Sequence, residues 1–257
     1  GYFHFFPPHD PYNTHLEFHN AFLDDGYHPV PKDVHFLQAN QPIKDLKKFR
    51  RWYDEFILFI DAEFARLYNT LKRSGVLENT WIILTTDHGE MFERSFLGHS
   101  EPTFYQPVFH IPLVIFPPGQ DSRIDVHTPT SAVDLLPTLC HVTGQDIPSW
   151  SEGVILPPFS KPSPVNPRDI TTIQVEAADP DGSINQATAT ILRGDHKLMW
   201  FFGYEALRGG REQIELYDLG NDPEELTNLY PQEGRLGDAL LAELKNRLAE
   251  LQGSMLG

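Results

Sequence analysis

Thr80-Trp81-Ile82-Ile83-Leu84-Thr85-Thr86-Asp87-His88-Gly89-Glu90 is an apolar run that ends in an adjacent Asp-His pair and a glycine. The run predicts a buried strand over Thr80–Thr86, with Asp87 and His88 delivered into a loop at its end. Strand ends of parallel α/β sheets are where such folds place their chemistry. Asp offers hard oxygen and His offers imidazole nitrogen, so the two neighbours can share one divalent cation. Gly89 supplies the backbone freedom to turn both side chains into one pocket. A second histidine, His99, follows one short loop later in Gly98-His99-Ser100. The same residue types also suit a solvated surface turn, so the pair takes its meaning from what surrounds it.

Upstream, Phe49, Trp52, Phe56, Ile60, Phe64, Leu67 and Leu71 recur at three- and four-residue steps. They mark a long helix over Lys44–Ser74 with one apolar stripe, closed by Gly75 as a C-cap. The stripe reads as core. A helix leading into the Trp81–Thr86 strand is the unit of a parallel α/β sheet. Tyr2–Phe6 reads as a buried strand in which His4 faces inward for packing, ended by Pro7-Pro8 and Pro11, so that His9 and Asp10 sit at its mouth. Thr14–Gln41, rich in His, Asp and Pro, reads as a long loop. Leu113–Phe116 is a further short buried strand, and His110 ahead of it reads as marking the strand start.

Ser131, with Asp134 three residues on, begins a helix in a near capping-box arrangement. The only cysteine, Cys140, falls inside that helical pattern and reads as a core thiol. Pro148–Pro167 reads as a linker or extended crossing segment. Ile170–Val175, Ala187–Leu192, Lys197–Phe202 and Glu215–Leu219 then read as strands, with Arg193-Gly194-Asp195 as a tight turn. Leu236–Leu251 reads as an amphipathic C-terminal helix. The division expected is an α/β layer over 1–150 and a small antiparallel α+β subdomain over 151–257.

With 257 residues, 40% of them hydrophobic, the chain can bury a sizeable core. A net charge of −16 argues against nucleic acid and anionic membranes as partners. It leaves room for an anionic substrate, because a local cation can outweigh the overall field. One cysteine excludes an internal disulfide and leaves the compartment open between cytoplasm and periplasm or exterior. No apolar run is long enough to span a bilayer as a helix.

Several motifs occur together. They are Pro8-His9-Asp10-Pro11-Tyr12, Gly75-Val-Leu-Glu-Asn-Thr80, Trp81-Ile-Ile-Leu-Thr-Thr-Asp87-His88-Gly89-Glu90, Leu97-Gly98-His99-Ser100 with Tyr105, and His110-Ile-Pro-Leu-Val-Ile115. They continue with Ser131-Ala-Val-Asp134-Leu-Leu-Pro137, then Leu216-Tyr217-Asp218-Leu219 and Asp222-Pro223-Glu224-Glu225 with Asn228-Leu229. In this order they resemble the sulfatase branch of the alkaline-phosphatase-like superfamily, over nearly the whole chain. The resemblance implies an alkaline-phosphatase-like three-layer α/β core fragment with the small C-terminal subdomain. It implies metal-dependent hydrolysis of small-molecule or glycan sulfate esters. By the same resemblance Asp87 and His88 match metal ligands for Ca²⁺, or for Mn²⁺ or Zn²⁺. His99 matches the residue that contacts the ester oxygens, and His9 matches a substrate-contacting histidine. Glu90 and Glu101 read as solvated carboxylates, and Asp218 and Asp222 as turn and cap residues.

One departure stands out. Family members carry a C/S-x-P-x-R motif whose Cys or Ser becomes formylglycine, the nucleophile, and an N-terminal Asp pair that completes the metal site. Neither occurs in these 257 residues. The chain is therefore expected to be the C-terminal part of a sulfatase. The formylglycine would lie in a missing N-terminal part, and the isolated chain would be inactive. Two other readings remain open: a phosphonate or phosphate ester hydrolase on the same scaffold, and a catalytically silent fragment or binding module.

Overall fold

The long helix α1 runs from Ile43 to Arg73 in a computed structural model that describes residues 1–38, 42–120, 122–160, 168–207 and 212–255. Lys72 and Arg73 lie in its last turn, where cations complement the helix dipole. Gly75, at φ +77°, takes the left-handed conformation just past the end. Most of the apolar stripe is inward: Phe56 is buried, and Phe49, Trp52, Ile60, Phe64 and Leu71 are half-buried. Leu67 is exposed, and its neighbour Tyr68 takes the packed face instead. The chain divides into two compact units, Gly1–Asp121 and Ser122–Gly257.

In the first unit α1 packs on the neighbour of the strand that carries the Asp-His pair. Phe64 and Tyr68 pack on Phe116, with ring centres 5.7 and 5.1 Å away. About three turns back, Tyr53 and Tyr12 stand 5.6 Å apart and both meet Phe92. Strand β1 covers Ile82–Thr85 and pairs antiparallel with β2, Leu113–Phe116, in the register Ile82↔Phe116 to Thr85↔Leu113. The parallel pairing expected from the helix–strand order is thus corrected for this pair. Parallel neighbours need a crossover, whereas the connection from β1 to β2 folds back through loops and the four-residue helix α2, Gln106–Phe109. Both strands are half-buried rather than fully buried. His110 is the C-cap of α2, and β2 begins only at Leu113.

Tyr2–Phe6 is not a buried strand. No partner strand lies beside it among the described residues, and Tyr2 is 87% exposed, with Phe3, Phe5 and Phe6 also open. Aromatic β-propensity gives a strand only where another strand accepts its hydrogen bonds. His4 is accordingly exposed rather than packed inward. The Thr14–Gln41 loop is irregular apart from a 3₁₀ turn at Leu16–Phe18, its last residues 39–41 lying outside the described residues.

In the second unit, the backbone N–H of Ser131 donates to Asp134 at 2.8 Å, and their reciprocal bonds form the expected capping box. Helix α3 follows over Leu135–Thr143, ended by Gly144 at φ +69°. Cys140 is half-buried on it rather than in the core. The buried Asp134 carboxylate also receives Val154 N at 2.9 Å and the Arg168 guanidinium. These bonds pin the described part of the 148–167 segment; its residues 161–167 lie outside the described residues.

Strands β3 (Ile170–Ala178), β4 (Ile184–Arg193), β5 (His196–Phe202) and β6 (Glu212–Asp218) form an antiparallel sheet in chain order. Gly194, at φ +58°, makes the tight β4–β5 turn. Helix α4, Gly234–Met255, lays Leu240, Leu241, Leu244 and Leu248 on Ala189, Ile191, Leu198, Trp200 and Leu216. Among the described residues no helix is long and apolar enough to cross a membrane.

Two outcomes follow from this packing. Leu244→Ala, at a position with no exposure, removes about 2–5 kcal/mol of stability; the shift in the urea midpoint checks it. In the first unit burial pushes the Tyr53 hydroxyl up to about 12, with help from Glu90 and Asp54. Burial and the Glu90 hydrogen bond also raise Tyr12. The folded state thus keeps protons that the unfolded chain loses at about pH 10. This part of the stability is complete below about pH 10 and is lost as pH rises toward 12. A urea-midpoint series from pH 8 to pH 11.5 should therefore decline above pH 10, ahead of the tyrosinate absorbance of the folded state.

Candidate functional site

Strand β1 is tied at its end by Thr85, whose hydroxyl donates to Pro112 O at 2.8 Å. The chain then turns, and the Asp87 carboxylate accepts from His88 N at 3.1 Å and from the Thr86 hydroxyl at 3.2 Å. Gly89 does not adopt a positive φ. It is required because a Cβ there would lie 2.0 Å from Pro107 O, while its N–H donates to Val108 O at 2.9 Å. The expected role of Gly89 is thus corrected: close approach of α2, not backbone bending, demands the glycine.

After Glu90 the chain makes a loop whose ends meet. Met91 and Gly98 exchange both backbone hydrogen bonds at 3.0 Å. That pairing sets Glu90 beside His99. The His99 Nδ1 lies 2.5 Å from Glu90 Oε1, and Tyr12 Oη donates to Glu90 Oε2 at 2.6 Å. Glu90 is only 9% exposed, which corrects its reading as a solvated carboxylate. The one hint in the sequence is its place two residues after His88, since alternate residues of an extended segment share a face. Tyr12 as its second partner leaves no local trace in the sequence, because the pairing spans 78 positions.

The histidines gather here. The His88 ring stacks on His99 with centres 3.8 Å apart, and the His9 ring meets His99 edge-on at 5.1 Å. Each has its Nδ1 against an oxygen: His9 at Asp10 O, 2.8 Å; His88 at Gly89 O, 3.0 Å; His99 at Glu90. An Nδ1–H held by a carbonyl or carboxylate leaves Nε2 as the working atom. Asp87 stands at the rim, its side chain 65% exposed, with Oδ1 3.8 Å from His88 Nε2. Its partial burial opposes ionisation, but the charge of His88 and the bonds from backbone N–H groups and Thr86 outweigh it. The carboxyl is held below the usual range. Of the residues singled out in the sequence, His9, His88 and His99 come together, with Asp87 alongside.

Donor atoms of His88, Glu90 and His99 lie within 4.8 Å of one another, so these residues form a group able to hold a metal ion. The donors fit a divalent cation that accepts nitrogen. Glu90 and His99 at 2.5 Å are too close for those two atoms to ligate one ion together, since ligand atoms about 2.0–2.2 Å from a tetrahedral ion stand farther apart. Beside this group opens a cleft of about 720 Å³ whose walls include Tyr12, Phe49, Trp52, Glu55 and His99.

Gly89→Ala should cost about 1–3 kcal/mol through overpacking against α2. It should also displace His88, read as a shift of its ring resonances.

Comparison with known proteins places the chain in a family. A family model described as Sulfatase matches residues 2–145, and one described as N-sulphoglucosamine sulphohydrolase, C-terminal, matches residues 99–254. Arylsulfatase K of Bos taurus is 29% identical over 72% of this chain and 34% of its own length. Choline-sulfatase of Rhizobium meliloti is 28% identical over 86% of this chain and 44% of its length. The chain thus spans between about a third and under half of these relatives. Among solved structures, phosphonate monoester hydrolase of Agrobacterium radiobacter aligns with a TM-score of 0.63 at 27% identity, over 81% of this chain and 42% of that one. The yidJ protein of Bacteroides fragilis, at 21% identity, shows the fold alone, with a TM-score of 0.75 over 95% of this chain and 52% of that one. The fold is the alkaline-phosphatase-like α/β fold, and the chain, matched over more than half its length, belongs to the sulfatase family.

Proposed function

We propose that this chain supplies part of the metal and substrate site of a sulfuric ester hydrolase. The observation that carries this reading is the His9–His99–His88 group beside Asp87, at a strand end of a sulfatase-family chain. Asp87 and His88 would hold a divalent cation, Ca²⁺ or the more nitrogen-tolerant Mn²⁺ or Zn²⁺. Such a cation offsets charge on the nonbridging oxygens of a sulfate. His99, oriented by Glu90, presents Nε2 to the ester and can hydrogen-bond or protonate the leaving oxygen. His9, held by Asp10 O, makes a second contact from the other side of His99. The substrate is a small-molecule or glycan sulfate ester.

The nucleophile is absent from these residues, since no C/S-x-P-x-R motif occurs in them; a formylglycine is expected from the rest of the parent protein. Without it, only electrostatic assistance remains. The agreement with phosphonate monoester hydrolase favours one second reading, hydrolysis of phosphonate or phosphate esters.

On an aryl sulfate with added Ca²⁺ or Mn²⁺, the 257-residue chain alone should show no turnover while the full-length parent turns over. In the parent, Asp87→Ala should abolish metal-dependent turnover with unchanged circular dichroism. His99→Ala should lower kcat by roughly 10²–10⁴-fold. Metal- and His99-dependent turnover by the chain alone would reveal a nucleophile within it. A parent that prefers a phosphonate ester would establish the second reading, and a parent with no ester turnover would establish the silent fragment.

A further inference from the structure

His99 sits just past the end of a loop whose backbone is strained. Arg94 and Ser95 take φ of +50° and +65°, the left-handed region that residues with a side chain rarely enter, and they do so consecutively. Both are buried. Neither is glycine, so the conformation persists only where the surroundings hold it. The loop is closed at its base by the Met91–Gly98 bridge, next to Glu90 on one side and His99 on the other. Whatever fixes the tip of this loop therefore fixes the frame on which the two stand. Part of that hold comes from the long Thr14–Gln41 loop. Lys32 Nζ donates to Glu93 Oε2 at 2.5 Å, with side chains 5% and 18% exposed. The backbone N–H of His35 donates to Arg94 O at 3.1 Å. The His35 ring lies 5.1 Å from the Phe96 ring and edge-on to Tyr105 at 5.7 Å, and Tyr105 also takes the Arg94 guanidinium on its face at 4.0 Å. Burial and the Arg94 charge push the His35 pKa down to about 3, so the ring packs there uncharged. Upstream in the same loop, Asp25 meets Arg50 of α1 at 3.0 Å. The segment is thus tied to the helix at one point and to the His99 loop at another.

We propose that Lys32 and His35 are positioning residues: they strap the Glu93–Phe96 turn in its strained form and so keep His99 aimed at the ester. The inference rests on the sulfuric-ester reading above. If Arg94 and Ser95 relaxed to ordinary dihedrals, the backbone would swing and carry Gly98 and the Nδ1 contact of His99 with Glu90 along with it. A displacement of about 1 Å at a reacting group is enough to slow a reaction by about a hundredfold. Replacing Lys32 leaves Glu93 paired with the Arg94 guanidinium, so the carboxylate keeps a cation while the turn loses its tether to the strap.

Lys32→Met, made in the chain and in the full-length parent, tests this. In the chain the His99 ring resonances should move, as should the proton of its Nδ1–H, while Leu244→Ala, destabilised in the other unit, leaves them in place. In the parent, kcat on an aryl sulfate should fall roughly 10–100-fold with KM within about twofold. Adding Ser95→Gly removes the strain, because glycine enters the left-handed region freely; it should return the resonances and restore most of kcat. Unmoved His99 resonances in a folded Lys32→Met chain, an equal movement in Leu244→Ala, an unchanged kcat, or no recovery with Ser95→Gly would each overturn the proposal. Should Lys32→Met fail to fold by circular dichroism, His35→Asn takes its place. Its amide oxygen can still accept from Leu37 N, as His35 Nδ1 does at 3.3 Å, while the ring is gone from Phe96. Unmoved His99 resonances there would again overturn it. A parent that turns over no ester defeats the sulfuric-ester reading, and the resonances of the chain still decide separately whether the strap positions His99.

Discussion

The Glu90 carboxylate joins three segments that are far apart in the chain: the Tyr12 turn, the end of β1 and the His99 loop. Each oxygen has one donor, Tyr12 at 2.6 Å and His99 at 2.5 Å, in a position almost closed to water. Hydrogen bonds to a charged group are the strong ones, about 1.5–3 kcal/mol each, and a buried carboxylate stripped of one carries a desolvation penalty as well. The rest of the site follows from this clamp. With His99 held by Nδ1, His88 has a flat ring to stack on and His9 an edge to meet. The two glycines that frame the motif serve the same end. Gly89 lets α2 approach, and Gly98, at φ +100°, closes the bridge to Met91 with Glu90 Oε2 3.6 Å from where a Cβ would sit.

Local features of the sequence translate directly into structure wherever the determining contacts are local. The period of the α1 stripe, the Ser131–Asp134 capping box and the Arg193-Gly194-Asp195 turn are set within a few residues, and each is found where its chemistry puts it. The failures share a cause too. The direction of β1 against β2, the isolation of Tyr2–Phe6 and the burial of Glu90 depend on partners dozens of positions away. Periodicity reports that an extended segment is apolar but not which strand it meets. At the site, residue types made His9, His88, His99 and Asp87 legible, while the carboxylate that organises them looked like any other surface acid.

In the second unit the motif around Asp218 to Leu229 acts as a loop lock rather than as chemistry. Asp218 accepts from Gly220 N and Asn221 N, and Asp222 accepts from Leu226 N at 2.8 Å and Thr227 N at 2.9 Å. Asn228 caps the backbone of Leu216 and Tyr230. Lys197, fully buried in β5, pairs with Glu225 of this loop. Removing one member of such a pair leaves an uncompensated buried charge, so the pair fixes the loop more firmly than its net stabilisation suggests.

Charge supplies the remaining constraint. A chain with net charge −16 presents a repulsive far field to an anionic ester, although charges beyond about 8 Å are largely screened at physiological salt. What the ester meets at close range therefore decides binding. Asp87, Glu90 and Asp10 all stand beside the imidazole group, and Glu90 is already engaged by Tyr12 and His99. Imidazoles are the basic side chains of that group. Hydrogen bonding alone cannot neutralise a sulfate next to these carboxylates as its leaving oxygen gains charge. On the proposed reading, the acidic surroundings that would repel a bare sulfate are the same ones that would attract a divalent cation, and a cation held at Asp87 and His88 would offset the charge that the ester brings.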